Sequence, residues 1–240
     1  MIFHVVTIFP EFFRGPFAHG VVANAAEAGV LDIRIHNLRD WTQDRHRTVD
    51  DRPFGGGEGM VLKCGPLFDA VESIWPGERG ADCRAVLLSA QGRLFDQAAA
   101  RRLSTLKELL LICGRYEGVD ERVAEHLADE ELSVGDYVLS GGEPAAVIVL
   151  DAVARLLPGV LGNEASSVFE SFSSETGEKV LDCPHWTRPA EFRGWKAPQV
   201  LLNGNHAEIR KFRREAALDK TRRMRPDLLD AAGDELQKVE

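Results

Sequence analysis

The chain has 240 residues and a hydrophobic fraction of 44%, enough for one sizeable α/β domain or for a larger domain with a small appendage. No apolar run approaches the roughly 18 residues that cross a bilayer, and the first ten residues lack the basic start and small-residue cleavage site of a secretion signal, so a cytoplasmic protein with no membrane partner is expected. A net charge of −9 disfavours nucleic acid at first sight, but between residues 185 and 226 eleven Lys and Arg stand against four acids, a local excess of cations that suits phosphate contact as readily as a solvated helix face.

Strand-like apolar runs are predicted at residues 2–8, 31–36, 85–89, 109–113 and 133–139, with helix-like segments between several of them. That alternation points to the α/β class, with a parallel sheet covered on both faces. A helix is expected over 12–28, stopped by Gly29, and another over 97–106. A third spans 143–157, with Pro144 tolerated in its first turn and Pro158-Gly159 ending it, which sets Arg155 at a helix C-terminus. Residues 162–181 are rich in Ser, Glu and small residues without a sustained period, the composition of a linker between two domains. Basic helices are expected over 208–218 and 219–224, broken at Arg225-Pro226. Cys64, Cys83, Cys113 and Cys183 form no CxxC pair and sit mostly in apolar runs, so buried thiols are expected rather than zinc or disulfides.

Two segments carry the strongest chemical signal. LSVGDYVLSGGEP at 132–144 is an apolar run ending in a glycine pair, an acid and a proline; LLLICGRYEGVDERV at 109–123 repeats the layout, a buried strand breaking into a glycine-containing turn and then a charged helix. Glycines there let a ligand approach bare backbone, and two such loops at one sheet edge make a small-molecule pocket of amides and carbonyls. The glycine-dense RPFGGGEGM at 52–60 fits either a phosphate cradle or a flexible surface turn, and taken alone the turn is the better reading. The pattern G-x-x-x-x-G-K-S/T is absent, which disfavours a nucleotide triphosphatase, and no acid stands at the ribose spacing of a dinucleotide fold. The seven histidines are scattered and show no Ser-His-Asp arrangement. Glu170 reads either as a general base ordered by substrate or as a solubilising linker acid, and Arg155 either as a site cation or as a complement to its helix dipole.

The blocks DDRPFGGGEGM, LLSAQGR, LICGRYEGVDERV, SVGDYVLSGGEPA, DAVARLLPGVLG, LDCPHWTRP and LLNGNHAEIRKFR follow one another between TIFPEFF at Thr7 and RRMRPDLL at Arg222. In these blocks the chain resembles the bacterial tRNA (guanine-N1)-methyltransferases, the TrmD family of the SPOUT superfamily. The resemblance implies a knotted domain over 1–162 whose parallel sheet is tied in a deep trefoil, a linker over 163–181, a small helical tRNA-binding domain over 182–240, and a homodimer with active sites between subunits. It implies that S-adenosylmethionine binds in the knot against Leu87, Leu88, Ser89, Gln91 and Gly92, against Gly114, Tyr116, Glu117 and Gly118, and against Val134, Gly135, Asp136, Tyr137, Val138, Leu139, Gly141 and Gly142. The substrate implied is tRNA with guanine just 3′ of the anticodon, position 37, methylated at N1 with Glu170 as base and Arg155 as its cationic partner. Magnesium dependence is also implied, with Glu117 the one residue to associate with it and the metal site unassigned. The chain departs from the familiar pattern in Glu170, where aspartate is usual, in Ala90, where proline is frequent, and in Glu58, where proline or a small residue is common. Two alternatives remain at this point: a non-catalytic RNA-binding or ribosome-assembly protein that keeps the pocket as a cofactor sensor, and a SPOUT enzyme acting on another RNA or another atom.

Overall fold

The computed structural model describes residues 1–161, 170–172 and 180–229. They fall into two compact units that divide between Gly162 and Asn163. The strands are β1 (Ile2–Thr7), β2 (Asp32–Asn37), β3 (Asp50–Asp51), β4 (Val61–Leu62), β5 (Cys83–Leu94), β6 (Glu108–Cys113), β7 (Glu130–Ser133), β8 (Glu191–Phe192) and β9 (Trp195–Lys196). The α-helices are α1 (Gly20–Glu27), α2 (Cys64–Ile74), α3 (Gln97–Leu103), α4 (Glu121–His126), α5 (Glu143–Ala154) and α6 (His206–Met224).

The first unit is built on a five-stranded sheet in the order β2-β1-β6-β5-β7, every neighbouring pair parallel. A parallel sheet is buried on both faces, so its inner strands must be apolar without interruption. Alternate side chains of those runs serve opposite faces: Phe3, Val5, Val86, Leu88, Leu109 and Leu111 pack with Val149, Leu150 and Val153 of α5, and Val6, Ala85, Leu87, Leu110 and Ile112 pack with Leu67, Ala70 and Val71 of α2. Each such leucine, fully buried, contributes about 1.5–3 kcal/mol of transfer free energy. Seven of the twelve residues of α5 are buried, which explains why it reads as apolar nearly all round.

Several boundaries differ from the sequence expectation. The helix expected over 12–28 is split into a 3-10 turn at Pro10–Arg14 and α1, because the backbone is extended at His19 and Gly20 adopts φ of 76°. Gly29 does end α1, at φ of 74°. Helix α3 stops at Leu103 rather than 106, where the hydroxyls of Ser104 and Thr105 donate to the carbonyls of Arg101 and Arg102. The run at 133–139 is not a strand: β7 ends at Ser133, whose Oγ accepts from the Gly135 amide, and 134–139 is a loop. Helix α2 was not anticipated, although Leu67, Ala70, Val71 and Ile74 carry its period.

A buried polar cluster sits among β1, β2 and β6. His4, 3% exposed, places Nδ1 2.9 Å from His36 Nε2 and Nε2 3.2 Å from Glu108 Oε2, and the Trp75 indole donates to the same Glu108 oxygen at 2.7 Å. Burial lowers the pKa of His4, and burial with the neighbouring His4 lowers that of His36 to about 4. The unfolded chain therefore binds more protons than the folded one between the ordinary histidine value of about 6.5 and pH 4, so stability is complete above that value and falls as pH drops towards 4. Chemical denaturation is expected to show a loss of about 2–3 kcal/mol from this cluster over that interval, and a smaller loss in His36→Asn. Equal pH profiles for the two proteins would contradict it.

In the second unit, β8 and β9 form an antiparallel hairpin, a 3-10 turn covers Gln199–Leu201, and α6 is one continuous helix of 19 residues where two shorter ones were expected. Its N-cap is Asn205, whose side chain accepts from the amides of Ala207 and Glu208. The ion pairs Lys211 to Glu215 and Asp219 to Arg223, each four residues apart, lie on either side of the expected break. Thr221, its buried residue, donates to Ala217 O and accepts from the Leu181 amide. Most of the expected linker lies outside the described residues; in the part described, the Phe172 amide donates to Val180 O at 2.8 Å.

Candidate functional site

The carboxyl ends of β5, β6 and β7 open into three loops that enclose a cavity of about 320 Å³, where parallel sheets characteristically receive ligands. Of the residues expected there, Leu87, Leu88, Ser89, Gln91, Gly114, Tyr116, Glu117, Gly118, Val134, Gly135, Tyr137, Val138, Leu139, Gly141 and Gly142 line it. Gly92 and Asp136 do not. At Gly92 the reason is strand packing: Leu88 and Arg93 both pair with Leu132, the residues between them bulge out, and a Cβ on Gly92 would lie 2.5 Å from the Leu132 amide nitrogen. Arg155 caps α5, its amide donating to Asp151 O at 3.2 Å, and lies outside the lining; Glu170, partly buried, belongs to the second unit.

Glycine sets the width of the cavity. Gly142 donates its amide to Gly114 O at 2.8 Å, and a Cβ on Gly142 would lie 2.7 Å from Cys113 Cα and 3.0 Å from the Gly114 nitrogen. Arg115 and Gly141 form a β-bridge beside it. Two loops distant in sequence are thus joined backbone to backbone, with no room for a side chain at the junction. Tyr116, at φ of 60°, holds a left-handed conformation that is costly for a residue with a side chain, and burial first, with the nearby Asp50 second, pushes its phenol up.

Beneath the junction, Glu143 is 1% exposed. Thr7 Oγ1 donates to its Oε1 at 2.8 Å, Arg115 Nη1 reaches Oε2 at 3.3 Å, and the Arg115 guanidinium rests over the Phe9 ring. Glu143 also opens α5, where the helix dipole favours an anion. Burial first and the Glu143 charge second push the Cys113 thiol well above its ordinary value, so it stays neutral. Removing one partner of a buried ion pair strands the other, so Arg115→Met is expected to destabilise the protein by about 3–5 kcal/mol, read as a lowered denaturation midpoint. A loss under about 1 kcal/mol would show that the pair behaves as an exposed one.

The cavity also has an acidic side that the sequence did not reveal. Glu121 and Glu131 line it with Glu117, and burial followed by the charge of Glu121 raises the pKa of Glu131. Glu131 precedes the predicted strand, and nothing in the spacing of the 109–123 segment singles out Arg115. The loop at 52–60 is a surface turn at its tip, with Phe54 fully exposed and Gly55, Gly56, Gly57 and Gly59 all at positive φ. Its exit is tied to the cavity wall: the Glu117 amide donates to Met60 O, and the Glu117 carboxylate lies over Gly59. Among the described residues, the His/Cys/Asp/Glu group tight enough for an ion is Asp182, Cys183 and His185 in the second unit; it does not include Glu117.

The family model described as tRNA (Guanine-1)-methyltransferase TrmD matches residues 1–231. The chain belongs to the TrmD family. Relatives named tRNA (guanine-N(1)-)-methyltransferase include one from Koribacter versatilis, 57% identical over 95% of this chain and 92% of its own length. Another from Geobacter metallireducens is 50% identical over 97% and 92%, and one from Salmonella schwarzengrund is 50% identical over 96% and 88%.

Proposed function

We infer that this chain is a tRNA methyltransferase that moves a methyl group from S-adenosylmethionine to N1 of the guanine just 3′ of the anticodon, position 37. The observation that carries the reading is the match to TrmD across residues 1–231, with relatives at 50–57% identity named for that activity. A non-catalytic RNA-binding role gains no support from relatives named as enzymes.

The cavity suits S-adenosylmethionine in size and chemistry. Its volume falls in the usual range for small-molecule sites, roughly 300–1,000 Å³; Gly114, Gly141 and Gly142 offer bare backbone, and Glu117, Glu121 and Glu131 complement a ligand carrying sulfonium and ammonium charges. When bound, S-adenosylmethionine supplies an electrophilic methyl group. N1 of guanine carries a proton and is a poor nucleophile until it is lost. In this reading Glu170 takes that proton within hydrogen-bond reach, and Arg155 steadies the negative charge that grows on O6. Magnesium enters with Glu117 as its associated residue, without an assigned ligand set.

The remaining parts of the reading follow the family. The trefoil knot is supported by the lacing of 134–142 to the 114–118 loop before α5 packs on β1 and β6. A homodimer belongs to the reading on the ground of family membership. The second unit, through its cation-rich 185–226 segment, is the tRNA-gripping domain, and the enzyme works in the cytoplasm with its tRNA; no helix among the described residues is long and apolar enough to cross a membrane.

A paired transcript assay tests this. Labelled methyl transfer is expected with guanine at position 37 and is expected to vanish with adenine there. Equal labelling of both transcripts would mean another atom or position is the target.

A further inference from the structure

The hairpin of β8 and β9 carries two aromatic rings that its own fold leaves open. Phe192 pairs with Trp195 across the hairpin, so both side chains project from the same face. Phe192 is 55% exposed and Trp195 71%, and their ring centres lie 6.4 Å apart at 41°. The connecting Arg193-Gly194 turn has both residues at positive φ, 53° and 85°, the tight geometry that holds paired strands in register. Arg193 lays its guanidinium over the Phe192 ring at 5.2 Å, while Lys196 reaches Glu191 across the hairpin at 3.6 Å.

Exposed aromatic pairs on a rigid turn mark a surface that something covers. The charge around them identifies what. This hairpin lies in the 185–226 segment with its excess of cations, on a chain that is otherwise acidic. A second copy of the hairpin would bring the same positive surface against it, whereas RNA brings phosphates to the cations and base faces to the rings. Bases within a duplex already have both faces stacked, so the rings fit an unpaired nucleotide. Extruding a target base from a loop leaves its neighbours unstacked and in need of a replacement face.

We propose that the β8–β9 hairpin is a stacking platform for an unpaired nucleotide of the RNA substrate, with Trp195 and Phe192 supplying ring faces and Arg193 the cation beside them. This rests on the tRNA methyltransferase reading for the identity of the RNA. Phe192 and Trp195 are positioning residues here, remote from any role in the chemistry.

The test compares wild type with Phe192→Ala, Trp195→Ala, Trp195→Leu and Trp195→Phe, measuring KM for tRNA, KM for S-adenosylmethionine, affinity for an isolated anticodon stem-loop, and sedimentation. Trp195→Ala and Trp195→Leu are expected to weaken tRNA and stem-loop binding about 10- to 100-fold, Phe192→Ala to weaken both in the same direction, and Trp195→Phe to stay near wild type, with KM for S-adenosylmethionine unchanged. Full affinity in Trp195→Leu would show an apolar contact rather than stacking and overturn the proposal. Unaltered RNA binding with a changed sedimentation coefficient would make the face an interface between copies and overturn it as well. If wild type binds the stem-loop but methylates no tRNA, the enzymatic reading fails alone, and the stem-loop affinities of the Trp195 variants still decide the stacking.

Discussion

Glu170→Ala is expected to lower kcat for methyl transfer about 100- to 10,000-fold, the range over which a positioned general base acts, while tRNA and S-adenosylmethionine bind as before. Guanine N1 is protonated at neutral pH, and a methyl group delivered to it needs a partner that accepts the proton as the new bond forms. A base acts in the transition state and little in the ground state, so its loss appears in kcat and not in either affinity. The resemblance to TrmD implies aspartate at this position, and Glu170 has one more methylene in its arm. Glu170→Asp is therefore expected to keep most of the activity, which separates the carboxylate from mere packing at that position. An alanine variant with wild-type kcat would move the base elsewhere in the chain.

Gly142→Ala is expected to weaken S-adenosylmethionine binding about 10- to 100-fold and to lower the denaturation midpoint. The new Cβ would meet Cys113 Cα at 2.7 Å and the Gly114 nitrogen at 3.0 Å. Both neighbours are backbone at the end of β6, a strand buried on both faces, so neither can yield as a flexible side chain would. Overpacking of this kind costs about 1–3 kcal/mol, and here it also pries apart the Gly142 to Gly114 hydrogen bond that joins two walls of the cavity. Gly65→Ala is the matched control. Its Cβ meets nothing within 4 Å, it lies in α2 away from positive φ, and alanine there is expected to be neutral or stabilising by up to about 1 kcal/mol. Equal cofactor affinities in the two variants would mean that the loop junction does not shape the ligand site.

The cavity loops were legible in the sequence for a definite reason. Buried parallel strands read as unbroken apolar runs, and a glycine just past their end marks a place where backbone meets backbone, as LLLIC before Gly114 does; the Gly141-Gly142 pair lies well beyond β7 and was legible as a glycine pair rather than as a strand end. What depends on pairing was not legible. The excursion of β5 that makes Gly92 a packing glycine exists only once Leu88 and Arg93 share Leu132 as partner. Glu121 and Glu131 become cavity residues through the placement of α4 and β7, which no local pattern encodes. The apolar residues at 134–139 imitate a strand, yet Gly135 at φ of 153° and the Tyr137 hydroxyl bonded back to Val134 O turn them into a loop. The expected break in α6 is absent: the helix runs on through Leu218-Asp219, and the Thr221 hydroxyl donates to Ala217 O across that point.

The enzyme is incubated with S-adenosylmethionine and an unmodified tRNA transcript carrying guanine at position 37, the product is digested, and the methylated nucleoside is located by mass spectrometry. The expected result is 1-methylguanosine at position 37 and at no other position. Methyl groups on another base or another ring atom, or none at all from enzyme that binds both substrates, would contradict the assignment.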